Sequence, residues 1–515
     1  MSATGSNRRR FLQIAGGTGV LALASCGKLR QLSSFLPGAP RAEKLVPFTP
    51  PAGEEVDLIT HALNRLTWGV APGEYQRVKA LAGDPPEALR LYVEEQLAPE
   101  KLEDSYVRAA QAPLEAIREP VEELYEYKPA QLNDELTRQA VIRAVYSRRQ
   151  LYEVMVGFWS DHFNIDASKT DCRWFKTVDD RAVIRPYALG SFRDLLKASA
   201  LSPAMLFYLD GRANKRRRPD EKPNENYARE LLELHTLGVH GGYTQTDVME
   251  AARCLTGWTV TGREKRNGLR DAAAGLRAMT GRGTVDGLGR VHFEPEAHDD
   301  GAKSLLGVQI AAGGGSADLD RLLDIVAGHP ATARFLAEKL CRRFIADSPP
   351  DDAVKAVSSA FTSSRGDIRQ TLRALFGTEA FAASRTCRIK QPFHFVVSAL
   401  RATGSLTSGG NGVQRALQVM GHAPFHYPTP EGPAPDGESW LSTLLHRWDF
   451  AVRLSSGELP CSRGDMAALT QCAGGRDGLL RHLFGRSPTQ EERDAAASVQ
   501  DVAALALASP AFQQF

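Results

Sequence analysis

The feature that most constrains the fold is the spacing of apolar residues, which from Asp57 onward mostly follows the helical repeat. Clear alternation of apolar and polar residues, the pattern of a half-buried strand, is scarce. The chain has 515 residues, of which 43% are hydrophobic, so it can bury a large core. We therefore expect a mainly α protein: one large, irregular multi-helix domain over residues 56–515, with long loops and little β structure.

The clearest helical pattern runs from about Gln139 to Phe163. An apolar stripe along this segment places His162 on an apolar face rather than on a solvated one. A histidine in such a place is commonly a hydrogen-bonded core residue, but histidine is also a frequent general base and metal ligand. Both interpretations of His162 stay open at this point.

A second helix is predicted from about residue 225 to residue 237. Asn224 is its expected N-cap, and Gly238 is its expected C-terminal stop. After a glycine turn, Thr244 and Asp247 have the spacing of a capping box, which predicts another helix up to about residue 256.

The 225–237 helix carries the densest set of polar side chains. Asn226, Glu230 and Glu233 share one helical face, where two carboxylates and an amide can bind a cation or divide acid and base roles. Arg229 is four residues before Glu233, so a simple ion pair explains the same residues. The helix therefore predicts either a functional site or a buried ion-pair network.

A third polar segment, residues 293–304, contains His298, Asp299 and Lys303. We read it as a loop, and loops often hold functional groups. The alternative is an ordinary turn before a helix, because the Asp-Gly pair within it is common turn chemistry.

The N-terminus resembles an export signal. Residues 7–13 read Asn-Arg-Arg-Arg-Phe-Leu-Gln, similar to the twin-arginine motif, and a short Gly-rich apolar stretch follows. Leu-Ala-Ser-Cys at residues 23–26 resembles a lipobox, so residues 1–25 are the predicted signal peptide and Cys26 the predicted lipidation site. Residues 26–55, rich in proline, are a predicted lipid-anchored tether. Gly27 is not aspartate, and we therefore expect an outer-membrane lipoprotein that faces the periplasm.

Charge and missing motifs exclude several classes of protein. The chain has 63 basic and 61 acidic residues, and three of the basic ones lie in the predicted signal peptide. This near-neutral balance argues against nucleic acid as a partner. The sequence has no zinc-protease, nucleophile-elbow or phosphate-loop motif, so the familiar enzymes that use them are not indicated. A Gly/Arg-rich stretch at about residues 262–290 reads as an insertion in the helical domain.

Several motifs together resemble the bacterial family called domain of unknown function 1800. They are the segment from Asn224 to Gly238, Gly-Tyr-Thr-Gln-Thr-Asp-Val from Gly242, Leu-Thr-Gly-Trp-Thr from Leu255, Phe-Trp-Ser-Asp-His-Phe-Asn from Phe158, and the segment from His298 to Gly307. His235 is a departure, because the family usually has phenylalanine there. The resemblance implies a largely helical, exported protein that is often encoded beside a sulfatase-like protein of the domain of unknown function 1501 family. It implies no particular reaction.

Two functional hypotheses follow. The first is an exported enzyme with hydrolase-like chemistry on an envelope or extracellular polymer. This chemistry is either acid/base catalysis or metal-assisted catalysis with a divalent metal as the cofactor. The second is a non-catalytic accessory protein or scaffold for the sulfatase-like partner. The candidate catalytic residues are His162, Glu230, Glu233 and His298. The candidate substrate-binding residues are Asn226, Arg229, Trp258, Asp299 and Lys303. For the enzyme, we expect the three polar segments to converge around one cavity.

Overall fold

The computed structural model describes residues 45–218, 220–261 and 289–515. Helices make up most of this part of the chain, and its sheets are three two-stranded antiparallel pairs. The prediction of a mainly α fold with little β structure is therefore confirmed. The predicted signal peptide, Cys26 and residues 262–288 of the predicted insertion lie outside the described residues.

The described α-helices are numbered in chain order, and the longest connections between them follow Tyr208, Cys254 and Val419. In the first half of the chain they are α1 Leu58–Leu66, α2 Glu74–Lys79, α3 Pro85–Leu97, α4 Ser105–Ala110, α5 Val121–Leu124, α6 Pro129–Tyr146, α7 Gln150–His162, α8 Cys172–Val178, α9 Arg185–Tyr187, α10 Phe192–Ala200, α11 Pro203–Tyr208, α12 Asn226–Glu230 and α13 Gln245–Cys254. In the second half they are α14 Ala317–Ala327, α15 Pro330–Phe344, α16 Asp351–Ser363, α17 Ile368–Phe376, α18 Glu379–Ala383, α19 Pro392–Ala402, α20 Asn411–Val419, α21 Leu444–Ser455, α22 Met466–Cys472, α23 Arg476–Phe484, α24 Gln490–Ala497, α25 Val502–Ala508 and α26 Pro510–Gln513.

The strands are two or three residues long. They are β1 Trp258–Val260, β2 Val291–Phe293, β3 Lys303–Leu305, β4 Val308–Ile310, β5 Leu406–Thr407 and β6 Ser462–Arg463. Trp258 pairs with Phe293 across β1 and β2, and Lys303 pairs with Ile310 across β3 and β4. The first two sheets therefore hold the chain around the 293–304 segment.

The apolar residues form two large buried clusters. The first is built by helices from α1 to α18, and the second by α19, α20, α21, α23 and α25 together with one face of α6. Trp68 packs against both clusters, with its ring 4.9 Å from that of Phe393 on α19. A site at this junction can draw side chains from both parts of the protein.

The predicted helix over residues 139–163 is wrong as a continuous element. The structure breaks it between α6 and α7, where Ser147 adopts an extended conformation. Ser147 Oγ donates to Asp104 Oδ2 and accepts from the Arg149 backbone N–H, each at 3.0 Å. These bonds stabilise a bend whose key partner lies 43 residues earlier in the chain.

The local signals around the 225–237 segment are confirmed at its end but not at its start. The N-cap is Glu225 rather than the predicted Asn224, although Asn224 Oδ1 accepts from the Asn226 N–H at 3.0 Å. Gly238 ends the segment with a φ of 82°. The capping box of Thr244 and Asp247 is present. After Glu230 the helix widens into a π-helical turn over Leu231–His235, a deviation that is often found at functional sites.

The last part of the predicted tether lies against the folded body. The Phe48 N–H donates to Cys472 O at 3.0 Å, and the Phe48 ring lies 4.9 Å from that of His482. In the described part of the chain, no helix has the length and apolar character needed to cross a bilayer.

Candidate functional site

A cavity of about 70 Å³ lies along one face of α7, at the junction of the two apolar clusters. That volume holds several water molecules. The α7 residues that line it recur at helical spacing, and they are Glu153, Val156, Gly157, Ser160 and Asp161, followed by Asn164 just beyond the helix. The opposite wall is formed by Trp68, by Phe393 of α19 and by residues 422–425.

Small residues on α7 make room for this wall. A Cβ at Gly157 would lie 2.9 Å from Trp68 Cζ2, so a larger residue would push the indole away. The indole N–H of Trp68 and the hydroxyl of Ser160 are both buried without a hydrogen-bond partner among the described residues. Unpaired buried polar groups are uncommon in folded proteins, and here they cluster beside the cavity.

A proline-rich loop covers the C-terminal end of α7. Asn164 Nδ2 donates to Tyr427 O at 2.9 Å and to Thr429 O at 2.6 Å. Gly432 has a φ of 77°, and a Cβ there would clash with the backbone oxygen of Asp161. The loop is therefore held tightly against the backbone at Asp161 and against the side chain of Asn164.

Asp161 is the most unusual residue of the cavity. Its side chain is exposed and lines the cavity, and no hydrogen bond or ion pair of this carboxyl group is formed within the described ranges. Burial of the site raises the pKa of Asp161 to about 7, although the positive charges of Lys339, Lys176 and Arg343 act in the opposite direction. A carboxyl group with such a pKa can donate or accept a proton near neutral pH.

His162, the neighbour of Asp161, lies on the buried side of α7. Lys339 Nζ of α15 donates to His162 Nδ1 at 3.0 Å, and His162 Nε2 donates to His235 O at 3.1 Å. Because a lysine ammonium can only donate, this pair of bonds fixes the neutral tautomer with the proton on Nε2. Burial lowers the pKa of His162 far below its usual range, and the positive charge of Lys339 lowers it further.

Lys339 connects the histidine to Asp161. Burial lowers the pKa of Lys339 to about 8, while the negative charges of Asp161 and Glu431 oppose this shift. Asp161 and Lys339 thus have pKa values close to each other and close to neutrality. Proton exchange near pH 7 is the chemistry that this arrangement supports.

The 226–235 segment contributes Glu230 to the same region. Burial raises the pKa of Glu230, and the negative charges of Glu233 and Glu431 raise it further. Arg229 has two carboxylate partners, Glu225 at 2.8 Å and Glu233 at 3.4 Å, so it is already paired. Asn226 Nδ2 donates to Leu209 O at 3.1 Å. Contacts within the protein therefore hold the side chains of Asn226, Arg229 and Glu233. Glu230 forms no ion pair with a lysine or arginine among the described residues.

The 293–304 segment forms a second cluster. Asp318 Oδ2 is shared by Lys303 Nζ at 2.5 Å and by His298 Nε2 at 3.2 Å, and all three side chains are buried. His298, Asp300 and Asp318 each place one ligand atom within 4.8 Å of the others, which is a spacing suited to a cation. The Lys303 ammonium occupies part of this region, so a metal ion would meet a fixed positive charge.

Asp299 is also paired in this cluster. It receives hydrogen bonds from Arg216 and, at 2.6 Å, from Arg253 Nε. Burial alone would raise the pKa of Asp299, but these bonds hold it well below its usual range. Trp258 lies in β1 and does not line the Asp161 cavity, and its ring is 5.2 Å from that of Phe293.

The structure thus brings together two of the three predicted segments. The α7 segment meets the 226–235 segment through the bond from His162 to His235, and the 293–304 segment forms its own cluster. Within the described ranges, no hydrogen bond or ion pair joins the two clusters. The catalytic and substrate-binding roles assigned from the sequence stay predictions.

Sequence reasoning missed Asp161, Lys339, Arg343 and Glu431. Asp161 was given no functional role from the sequence, although Gly157 and Ser160 on the same face were a signal of open space beside it. Lys339 had no such signal, because 177 residues separate it from His162.

Comparison with known proteins gives a family and no activity. No curated protein and no solved structure matches the chain significantly. The sequence model of the family described as "Protein of unknown function (DUF1800)" matches residues 61–514, which include both clusters. The chain therefore belongs to the DUF1800 family.

Proposed function

We propose that this protein is a hydrolase-like enzyme that performs acid/base chemistry at the Asp161 cavity. The observation that carries the proposal is the carboxyl group of Asp161, which lines a cavity, lacks a hydrogen-bond partner among the described residues and feels the positive charge of Lys339. A carboxyl group that only stabilised the fold would be expected to have a partner. The raised pKa of Asp161 supports the same role.

In this proposal, protonated Asp161 acts as the general acid. It donates its proton to the leaving-group oxygen as the bond from that oxygen to the substrate breaks. A water molecule adds its hydroxide to the substrate, and the proton that this water loses returns to the Asp161 carboxylate. Between these two proton transfers Lys339 stabilises the Asp161 carboxylate, and His162 positions Lys339.

Acid/base chemistry is favoured over metal-assisted chemistry. The cations Lys339, Lys176 and Arg343 act on Asp161, and their charge opposes a divalent metal there. In the second cluster Lys303 competes for Asp318, as described above.

The substrate that we propose is an envelope or extracellular polymer, because the N-terminal sequence resembles an export signal. We propose export by the twin-arginine route, lipidation of Cys26 and a position on the periplasmic face of the outer membrane. Replacing Arg8 and Arg9 with lysine should leave the precursor inside the cell, and Cys26→Ser should release the processed protein from the membrane. Membrane attachment of Cys26→Ser equal to wild type would contradict the proposed anchor.

The test of the enzyme is Asp161→Asn, assayed on chromogenic glycosides, esters and phosphodiesters between pH 5 and 9. The variant should melt at or above the temperature of wild type and lose at least about 100-fold in rate, the contribution of a general acid. Asp166→Asn is the matched control, because Asp166 is nearby but bonds to Ser168 rather than lining the cavity. Hydrolysis by Asp161→Asn at the wild-type rate would exclude this mechanism.

An accessory role is the second candidate, and a different surface favours it. Leu441, Leu445, Trp448 and Val452 form an exposed apolar stripe along the 438–455 segment, with Leu445 70% exposed. Trp448 Nε1 donates to Ala508 O at 3.2 Å, which fixes the half-exposed ring. A rigid aromatic residue within an apolar stripe is typical of a protein-binding surface.

The partner that we propose for this surface is the sulfatase-like protein of the domain of unknown function 1501 family. Trp448→Ala should weaken binding of the purified partner at least tenfold, measured by calorimetry. Val239→Ala is the control, since Val239 is exposed but lies outside the stripe. Binding that is equal in Trp448→Ala and wild type would exclude this surface.

A further inference from the structure

Most cations near the Asp161 cavity have carboxylate partners. Lys176 Nζ lies 2.6 Å from Asp179 Oδ2, and Arg185 pairs with both Glu153 and Asp180 at 2.8 to 2.9 Å. On α15, Arg342 pairs with Glu338 at 2.5 Å. Each of these three cations is therefore paired with a carboxylate.

Two cations on α15 differ from this pattern. Lys339 has a neutral acceptor, His162, as its hydrogen-bond partner. The side chain of Arg343 has no hydrogen bond or ion pair within the described part of the chain, and its Nη2 atom is buried and unpartnered. Its guanidinium carbon lies 5.6 Å from the centre of the Trp68 ring and 5.3 Å from that of Phe344. The aromatic rings orient Arg343 without neutralising it.

Lys339, Arg343 and Asp161 belong to one region. Lys339 and Arg343 are four residues apart on α15 and so share a helical face. Both charges act on Asp161, and Trp68, which contacts Arg343, also lines the cavity beside Asp161. An anionic group placed there would meet two positive charges and one carboxyl group that readily holds a proton.

We propose that Lys339 and Arg343 bind an oxyanion group of the substrate, a phosphate, sulfate or carboxylate, beside Asp161. The inference rests on the proposed function, because it names the class of substrate for that site. A planar guanidinium can donate two parallel hydrogen bonds to such a group, and an ammonium adds a point charge. Arg229 and Lys303, the cations assigned to substrate binding from the sequence, already have carboxylate partners.

A bound oxyanion would also favour the acid form of Asp161. A negative charge next to a carboxyl group disfavours its ionisation, so the ligand would help Asp161 to keep its proton until the leaving group takes it. Substrate binding and general-acid catalysis are then coupled through one electrostatic interaction. A neutral polymer would bring no such coupling.

The test measures binding of inorganic sulfate and inorganic phosphate to the full chain by calorimetry, at constant ionic strength. Arg343→Gln and Lys339→Met should each weaken binding at least tenfold, and Arg343→Lys should retain part of it. Arg342→Gln is the matched control, because Arg342 is the next residue on α15 but is paired with Glu338. Asp161→Asn should bind these anions several-fold more tightly, since it removes the nearby negative charge.

The possible results separate this inference from the proposed function. Equal binding by wild type, Arg343→Gln and Arg343→Lys, or no binding by wild type, would overturn the oxyanion site, even if hydrolysis still depended on Asp161. Anion binding that depends on Arg343 and Lys339, together with full hydrolysis by Asp161→Asn, would support the oxyanion site and exclude Asp161 as the acid. Melting temperatures of each variant show whether lost binding reflects a lost fold.

Discussion

The Asp161 cavity and the Asp318 cluster are both rich in titratable groups, but they differ in how those groups are paired. Asp318 is buried with Lys303 and His298 against the same carboxylate oxygen. Asp161 is exposed to a cavity and has no hydrogen-bond partner among the described residues, and the side chain of Arg343, whose charge acts on Asp161, is unpaired as well. In the Asp318 cluster the charged groups pair with one another. In the Asp161 cavity charged groups remain available to bind a ligand.

The pairing of charged groups distinguishes a network that stabilises the fold from a site that can react. The motifs of both regions look equally promising in the sequence, because each contains histidine beside aspartate. Pairing distinguishes them: a buried charge with a partner specifies the fold, whereas a charge without one needs a ligand or a proton.

Lys303→Met tests the closed cluster and carries the largest expected effect. It leaves the buried Asp318 carboxylate without its ammonium partner, which should lower the free energy of unfolding by about 3–5 kcal/mol. Urea denaturation measures this change. Asp300→Asn is the control, because the exposed Asp300 should contribute little. A Lys303→Met protein as stable as wild type would remove the contrast between the two regions.

Asp161→Asn should have the opposite effect on stability. The pKa of Asp161 is raised in the folded state to about 7, so wild type is penalised where the folded carboxylate must ionise. At pH 8 the variant should gain about 1–2 kcal/mol, a value reduced by screening from cavity water. Below pH 4, where both folded and unfolded carboxyl groups are protonated, the two proteins should be equally stable. A loss of stability at pH 8 would show that Asp161 is paired after all.

His235→Phe tests the effect of an unpaired buried group in the region of the Asp161 cavity. Both ring nitrogens of His235 are buried without a partner in the described structure, and burial lowers the pKa of His235 to about 3. Phenylalanine fills the same space without an unpaired N–H, and the backbone oxygen that His162 needs is retained. We expect a gain of about 1 kcal/mol in the free energy of unfolding by urea denaturation. His162→Phe is the contrasting variant and should destabilise, because it loses two hydrogen bonds.

Arg229→Met should have the smallest effect. Arg229 pairs with Glu225 and Glu233 near the surface, and such pairs contribute about 0.3–0.5 kcal/mol each. Hydrolysis rates should stay within twofold of wild type. A large loss of activity would return Arg229 to the substrate-binding role that the sequence suggested.

Features set by neighbours in the sequence were predictable. Helical spacing gave the fold class, and Gly238 and the capping box of Thr244 and Asp247 marked helix ends correctly. These signals depend on residues within one or two turns of each other, where side chains and backbone interact in any context.

Features set by distant contacts were not predictable. The break after α6 depends on Asp104, which lies 43 residues before Ser147. The site depends on α15, whose Lys339 reaches His162 across 177 residues. A single sequence contains no signal for either contact, so His162 was noticed and the partner that sets its tautomer was not.

The most direct test of the central claim is the ionisation of Asp161 itself. Infrared difference spectra of wild type against Asp161→Asn, recorded from pH 4 to pH 9, isolate the carboxyl band of this one residue. The account predicts a protonated carboxyl group that ionises near pH 7, in line with its pKa of about 7, and that is absent from the variant. Ionisation near pH 4 would contradict the account, because Asp161 would then be an ordinary surface carboxylate at neutral pH.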